Sequence, residues 1–448
     1  MQEINITDIV EEISALVEEE NLGGLTNILA DLHEADIADL LQKLPHEERQ
    51  VVFDSLDDEK ASDVLAELDE PFQKKLLKDE TPERIVEMIE NLDSDDAADI
   101  VGDLPEDKRR EVLAEATGEL KEDLSELLHY DEETAGGLMA LELISLKADQ
   151  SVIEAIQEIR KERDSVEDLY HIYVIDEFEK LVGYLSLKDL VLANPDVLLK
   201  DIMSDDVIAV NTDTDQEEVA ATAKKYDLVS LPVVDLNYRL VGRITADDIM
   251  DVMEEEASED INKMAGLADE FHENQTIWKA SVMRMPWLAI GMVGELVSAM
   301  VLSHFQATLQ EIVILAFFIP LIMATGGNSG IQSSSIVVRG LALGNLTLHD
   351  VWKKVVKELF TSVITGVAIA TALFVFIYLW MDDPGFALVL ALVLNLIIIQ
   401  AAFFGTIIPF TLKRLGFDPA IATGPFITTS NDVLGLIVYF TVMTLYYQ

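Results

Sequence analysis

The 448-residue chain contains no cysteine. Disulfide frameworks and thiolate metal sites are therefore excluded, and the redox compartment stays open. Basic residues are scarce: 31 Lys and Arg against 83 Asp and Glu give a formal net charge of −52. So negative a chain repels phosphate, which excludes a nucleic-acid partner. No G-x-x-x-x-G-K-[ST] loop is present, which argues against an ATP-driven pump. Seven scattered histidines supply no nucleophile, base or metal constellation, so an enzyme is not expected. The start, Met1-Gln2-Glu3-Ile4, lacks the basic stretch that opens a signal peptide, so the soluble part is not expected to be exported.

What is there divides sharply. Residues 276–448 hold 8 bases and 8 acids, leaving 23 bases and 75 acids before them. The whole net charge therefore lies in 1–275, an acidic soluble module, and the neutral remainder reads as membrane. Five apolar stretches, roughly 285–303, 312–335, 358–380, 386–411 and 420–446, are long enough to cross a bilayer, which takes about 20 helical residues. The bases Lys279, Arg284, Arg339, Lys353, Lys354, Lys357, Lys413 and Arg414 all fall on the side of the acidic module. That side is expected to be the cytoplasm, with the N-terminus inside and the C-terminus outside the cytoplasmic membrane.

Polar groups inside the spans carry the functional signal, because a charge at bilayer depth is costly. Asp432 stands about halfway along the fifth span, with no base at comparable depth. Pro320 and the run Thr325-Gly-Gly-Asn-Ser-Gly330 predict a break in the second span that frees backbone carbonyls. Asn328, Asn395, Gly405, Thr406 and Pro409 add oxygens and flexible backbone nearby. Hard oxygen ligands around one carboxylate, without sulfur or a histidine cluster, suit Mg²⁺ or Ca²⁺, and Mg²⁺ especially if it keeps its waters. The alternative is that Asp432 and the asparagines only bridge helices. Glu295, midway along the first span, fits a cavity, a dimer contact or a protonated acid equally well.

In the soluble part, Asp168–Asp176 with Leu181–Asp189 repeats as Asp227–Asp235 with Leu240–Asp248, at a constant offset of 59. Upstream the offset grows to 64, matching Met139 to Met203. Each copy reads as helix, strand, turn, strand and capped helix, and resembles a CBS domain through its closing hydrophobic-Gly-x-hydrophobic-[Ser/Thr]-x-x-Asp. The resemblance implies an α/β tandem CBS pair over 133–253, with Ser186, Asp189, Thr245 and Asp248 as candidates to hold the ribose of a nucleotide such as ATP. The other reading is that Ser186 and Thr245 cap helices. Residues 1–132 carry leucines at multiples of twelve, namely Leu32, Leu44, Leu56, Leu68, Leu92 and Leu104, with near-copies such as Ser62-Asp63…Leu68 and Ala98-Asp99…Leu104. Twelve residues hold about two helical turns and a connection, which predicts an all-α, superhelical stack of short helices. Asp93, Asp95, Asp96 and Asp99 crowd one helix start. An acidic connecting helix is expected over 254–275, continuing a stripe of Asp247, Asp251, Glu255 and Glu259 at i, i+4, i+8 and i+12. Like charges so spaced destabilise a helix by about 0.2–0.5 kcal/mol per pair, so a divalent cation would stabilise it.

An acidic helical repeat, a CBS pair, an acidic connector and an all-α domain of five transmembrane helices over 276–448 together resemble the MgtE family of magnesium channels. The motifs are Ala135-Gly-Gly-Leu-Met139, Thr212-Asp-Thr-Asp-Gln-Glu-Glu-Val219, Pro320…Thr325-Gly-Gly-Asn-Ser-Gly330 and Gly424-Pro425…Thr428-Thr429-x-x-Asp432. The resemblance implies a homodimer in the lipid bilayer that imports Mg²⁺ and is gated by cytoplasmic Mg²⁺. It implies Asp432 as the pore acid, with Asn328, Gly326, Gly327, Gly424 and Thr428 lining the path. It implies Asp63, Asp95, Asp99, Asp215, Glu217, Asp227, Asp248, Asp251, Glu256 and Glu259 as sensing acids. The alternative is a CBS-regulated channel or carrier for another divalent cation such as Co²⁺, Mn²⁺ or Ca²⁺. Ile331 and Glu295 depart from the family pattern.

Overall fold

The computed structural model describes residues 6–78, 80–161, 169–267 and 277–448. Asp168, where the first repeat starts, and residues 268–275 of the expected connector lie outside them. The chain divides into two compact units, Met1–Met253 and Glu254–Gln448.

The first unit opens with α1 (Ile6–Glu18), α2 (Leu22–Ala30), α3 (Glu34–Lys43), α4 (His46–Phe53), α5 (Asp58–Ala66), α6 (Glu70–Leu77), α7 (Pro82–Ile89), α8 (Ser94–Gly102), α9 (Glu106–Glu115) and α10 (Gly118–Leu127). Each is a few turns long, because each step ends in a turn, and side-chain N-caps restart α2, α3, α5 and α7. Asp57 caps α5 through the Lys60 N–H, and Thr81 caps α7 through the Arg84 N–H. The twelve-spaced leucines follow the helix ends, and Leu44, Leu56, Leu68 and Leu104 are buried. Alternate helices pack on one another, α1 on α3, α3 on α5, α5 on α7 and α7 on α9. That is the stack the spacing predicts.

Two three-stranded sheets follow, with α11 (Val152–Ile159), α12 (Leu187–Leu192), α13 (Gln216–Tyr226) and α14 (Ala246–Ala265). The first orders β1 (Ser145–Lys147), β2 (His171–Ile175) and β3 (Leu181–Ser186), and the second β4 (Val210–Asn211), β5 (Ser230–Val234) and β6 (Leu240–Thr245). In each the first pair is parallel and the second antiparallel. The repeat extends to register: Val174 pairs Gly183 and Val233 pairs Gly242, each beside a bulge. Ala140 pairs with Arg243 of the second copy, while Ser204 pairs with Tyr184 of the first, so the two copies exchange their leading segments. Gly183 and Gly242 make room for this, since a Cβ would fall 2.6 Å from the Sδ of Met203 and Met139 respectively.

Helix α14 runs from Ala246 to Ala265 without a break, so the acidic stripe Asp247, Asp251, Glu255 and Glu259 lies on one helix. No Pro or Gly interrupts it until Gly266, which takes φ +73. There the Gly266 N–H donates to the Lys263 carbonyl and the Leu267 N–H to the Asn262 carbonyl, a Schellman end.

The second unit contains α15 (Ile277–His304), the short α16 (Gln306–Glu311), α17 (Ile319–Ala342), α18 (Val351–Met381), α19 (Pro384–Arg414) and α20 (Pro425–Tyr447). Among the described residues five spans, four of them long helices of this unit and the other reaching from Val313 to Ala342, are long and apolar enough to cross a membrane. Helix α19 is central, packing on α17, α18 and α20, whereas α15 touches mainly α20. Apolar surface alone does not drive helices together in lipid, so close contact relies on small residues. A Cβ on Gly405 of α19 would lie 2.4 Å from the Gly330 carbonyl of α17.

Candidate functional site

In the second unit the candidate site is built on α20. Asp418 accepts from the Ala420 N–H at 2.7 Å and opens the turn Pro419–Thr423, which leads through Gly424 into α20 with Pro425 in its first turn. The Thr428 and Thr429 hydroxyls donate back to the Pro425 carbonyl. Asp432 follows one turn further, half-buried. No Lys or Arg lies in α20.

The expected break in the second span does not occur. Helix α17 continues through Thr325–Gly330, because its glycines serve close packing and leave the backbone ladder intact. Gly326 meets Ile397 and Gly327 meets Thr428 of the neighbouring helices, and both glycines are buried. Asn328 is exposed on the opposite face, and Gly424 and Thr428 are half-buried. Asn395 turns its Oδ1 toward Gly366 of α18, and the Thr406 hydroxyl donates to the Ala402 carbonyl. The oxygens expected around Asp432 are thus dispersed over several seams. The acid that does lie within hydrogen-bonding reach of Asp432 is Glu295 of α15.

In the first unit a set of acids converges around α8. Ser94 anchors it: its N–H and hydroxyl donate to the Glu142 carboxylate at 3.1 and 2.8 Å, and its Oγ accepts from the Leu141 N–H at 2.8 Å. This ties the helical stack to the segment leading into the first repeat. It leaves Asp95, 7 % exposed, with Asp96 and Asp99 facing Asp248 of α14. Burial, then Asp248 and Asp96, hold Asp95 well above the usual carboxylate range. Burial, then Asp248, Asp93, Asp247 and Glu67, push Asp96 to about 7. Asp99 is open at one edge, yet the loss of water on its protein side, then Asp96, Glu132 and Asp248, push it to about 8. Burial also raises Asp248, against the hydrogen bonds it accepts from Thr245. Every neighbouring charge that acts most on Asp95, Asp96 and Asp99 is negative. Buried carboxylates so opposed gain from any cation placed among them. Among the described residues no three His, Asp or Glu side chains are set closely enough to cage a bare metal ion. Their hard oxygens fit Mg²⁺ that keeps part of its water shell.

The remaining predicted acids are spread out. Asp63 lies on α5. Asp215 caps α13 by accepting from the Glu217 N–H at 2.9 Å, and Asp227 closes the same helix at φ 52. Asp251, Glu256 and Glu259 continue along α14. Glu259 already holds Lys263, which also pairs with Asp418 at 2.7 Å. Despite burial, which pulls the other way, these two acids hold the Lys263 ammonium above its ordinary pKa. At the candidate ribose positions Ser186 donates to Asp189 at 2.5 Å and accepts from the Asp189 N–H at 3.1 Å, while Thr245 bonds Asp248. Both pairs act as helix caps in this structure, and Asp248 belongs to the acid set. Sequence reasoning missed Glu142 and Asp96 as members; the crowding of Asp93–Asp99 was the available signal for Asp96, and none existed for Glu142.

Fold and site together define a protein with an acidic helical domain, a tandem α/β module and, among the described residues, five spans long and apolar enough to cross a membrane. Residues 319–442 match the family MgtE, described as a divalent cation transporter, 32–133 match the MgtE intracellular N domain, and 135–196 and 199–255 match the CBS domain. The chain is 36 % identical to the magnesium transporter MgtE of Enterococcus faecalis, over 72 % of this chain and 71 % of that one. It is 38 % identical to the magnesium transporter MgtE of Thermus thermophilus, over 72 % of each. A crystal structure of the cytosolic domain of the Mg²⁺ channel MgtE in complex with ATP is similar with a TM-score of 0.52 and 36 % identity, covering 54 % of this chain and 99 % of that one. The chain belongs to the MgtE family.

Proposed function

We propose that this protein is a homodimeric channel that imports Mg²⁺ across the cytoplasmic membrane, with its N-terminus inside and its C-terminus outside. The observation that carries the reading is Asp432, a carboxyl halfway along a membrane-spanning helix that contains no base. A fixed negative charge at bilayer depth attracts a cation and excludes anions. In this reading Gly424 and Thr428 line the path, Asn328 offers its amide from the exposed face of α17, and Gly326 and Gly327 allow the helices to approach. Uptake of Mg²⁺ into proteoliposomes tests this. Asp432→Ala abolishes uptake while the protein still elutes as the wild type, and Asp432→Asn is nearly as damaging, because the amide keeps the oxygen and loses the charge. Wild-type uptake by the alanine variant contradicts the proposal. Co²⁺, Mn²⁺ and Ca²⁺ compete in the same assay if selection among divalent ions is weak.

Cytoplasmic Mg²⁺ gates the path in this reading. It neutralises Asp95, Asp96, Asp99 and Asp248, and further acids along α14, and so favours the closed arrangement. Support comes from the charge opposing these acids and from α14 itself, whose Lys263 is bonded to Asp418 at the entrance to α20. Asp63, Asp215, Glu217 and Asp227 act in the same electrostatic balance. ATP at the CBS pair is a further proposal. It requires Ser186–Asp189 or Thr245–Asp248 to release their helix caps, so Asp189→Ala weakens binding if the site is real.

A further inference from the structure

Glu295 has no part in the path as described so far. It sits near the middle of α15, of which only Gly294 and Ser298 are buried. Gly294 marks the crossing with α20, since a Cβ there would fall 1.6 Å from the Cγ2 of Thr429. The residue after Gly294 and the residue three beyond Thr429 therefore lie beside the crossing. These are Glu295 and Asp432, and their carboxyls lie within hydrogen-bonding reach. Independent features mark the same place. The Ser298 hydroxyl, one turn from Glu295 in a residue 3 % exposed, has no protein partner. An open groove of about 330 Å³, lined by Gly294, Val297, Thr429, Ser430, Val433 and Leu434, runs along the crossing.

Two ionised carboxylates side by side at bilayer depth repel and need a counter-charge. The bases of α15, Lys279 and Arg284, stand near its N-terminal end, and α20 has none. We propose that Glu295 is a specificity-determining residue of the transport path, pairing with Asp432 to present two negative charges that one divalent cation neutralises and one monovalent cation does not. The orphaned Ser298 hydroxyl then faces the ion's water shell. This rests on the transport reading of Asp432.

The test uses the full-length protein in proteoliposomes, with Mg²⁺ uptake measured over a concentration series and Na⁺ uptake measured without Mg²⁺. Glu295→Gln keeps a hydrogen-bonding group beside Asp432 and removes the charge. It raises half-saturating Mg²⁺ by about tenfold or more and narrows the preference for Mg²⁺ over Na⁺, with a smaller change in maximal rate. Glu295→Asp restores half-saturation to within about threefold of wild type. A Glu295→Gln protein that elutes as wild type with unchanged half-saturation and preference overturns the proposal, since a merely structural Glu295 predicts that result. If Glu295→Gln does not assemble, the equal-sized pair Glu295→Asp and Glu295→Asn replaces it, and equal Mg²⁺ dependence of the two overturns the proposal. The levels of failure separate: no wild-type uptake removes the transport reading and this one together. Wild-type uptake that Asp432→Asn abolishes and Glu295→Gln leaves intact removes only this one.

Discussion

Residues 276–448 carry as many bases as acids, and their mid-membrane carboxyls are Asp432 and Glu295, whereas residues 1–275 carry 75 acids against 23 bases. In the first region two carboxyls in an apolar surrounding dominate the local field. In the second, water and counter-ions screen each acid, and only a crowd at close quarters produces a comparable field. The difference is expected to show in substitution: removing one charge is expected to be decisive in the bilayer and tolerated in the soluble unit. The burial of Asp95 and the raised pKa values of Asp96 and Asp99 mark where the soluble unit comes nearest to the membrane's regime.

Single and multiple neutralisations give the strongest test of that contrast. Asp432→Asn lowers Mg²⁺ uptake by about 100-fold or more, whereas Asp99→Asn moves the Mg²⁺ midpoint of the soluble unit by about threefold or less. That midpoint is read by limited proteolysis across 247–273, with Mg²⁺ titrated at fixed ionic strength. Neutralising Asp248, Asp251, Glu256 and Glu259 together removes the Mg²⁺ dependence. If cleavage of the wild type ignores Mg²⁺, the acids are only a hydrated surface and the contrast fails on the soluble side.

A smaller effect is the pH dependence of the soluble unit. Asp96 and Asp99 titrate near 7 and near 8 when folded, against 3.8 for an ordinary aspartate. Between these values the folded state binds more protons than the unfolded one, so stability falls as pH rises from about 4 to about 8 and levels off above. Thermal unfolding of the soluble unit at pH 5.5, 7 and 8.5 reads this directly, and saturating Mg²⁺ flattens the slope. A melting temperature that climbs over the same range contradicts the crowding of these acids.

The smallest effect is steric and leaves both charge systems alone. Gly242→Ala places a Cβ 2.6 Å from the Met139 Sδ and 3.0 Å from the Ala140 carbonyl, costing about 1–3 kcal/mol, with the lower end set by the flexibility of methionine. Denaturant titration of the soluble unit measures it. No loss of stability would mean that the exchanged segments pack loosely.

Much of this architecture is legible along the chain, because each element announces itself by a local period. Leu44, Leu56, Leu68 and Leu104 fall where helices end, and the 59-residue offset carries into strand pairing. Errors arose where one residue type serves two purposes. Gly326 and Gly327 read as a break, yet in a packed helix a glycine lets neighbours approach while the backbone remains bonded.

Composition and periodicity by themselves determined that the chain has an acidic soluble part and five membrane spans, and that Asp432 stands at bilayer depth, since charge, hydropathy and repeat length are properties of neighbours in sequence. Which acids act together was decided only in three dimensions. Asp95 meets Asp248 because Ser94 anchors α8 on Glu142, and Glu295 meets Asp432 because Gly294 lets α15 cross α20 at Thr429. A carboxylate's field falls off within a few ångströms of screened surroundings, so its partners are set by packing across helices, at contacts that no spacing along the chain encodes.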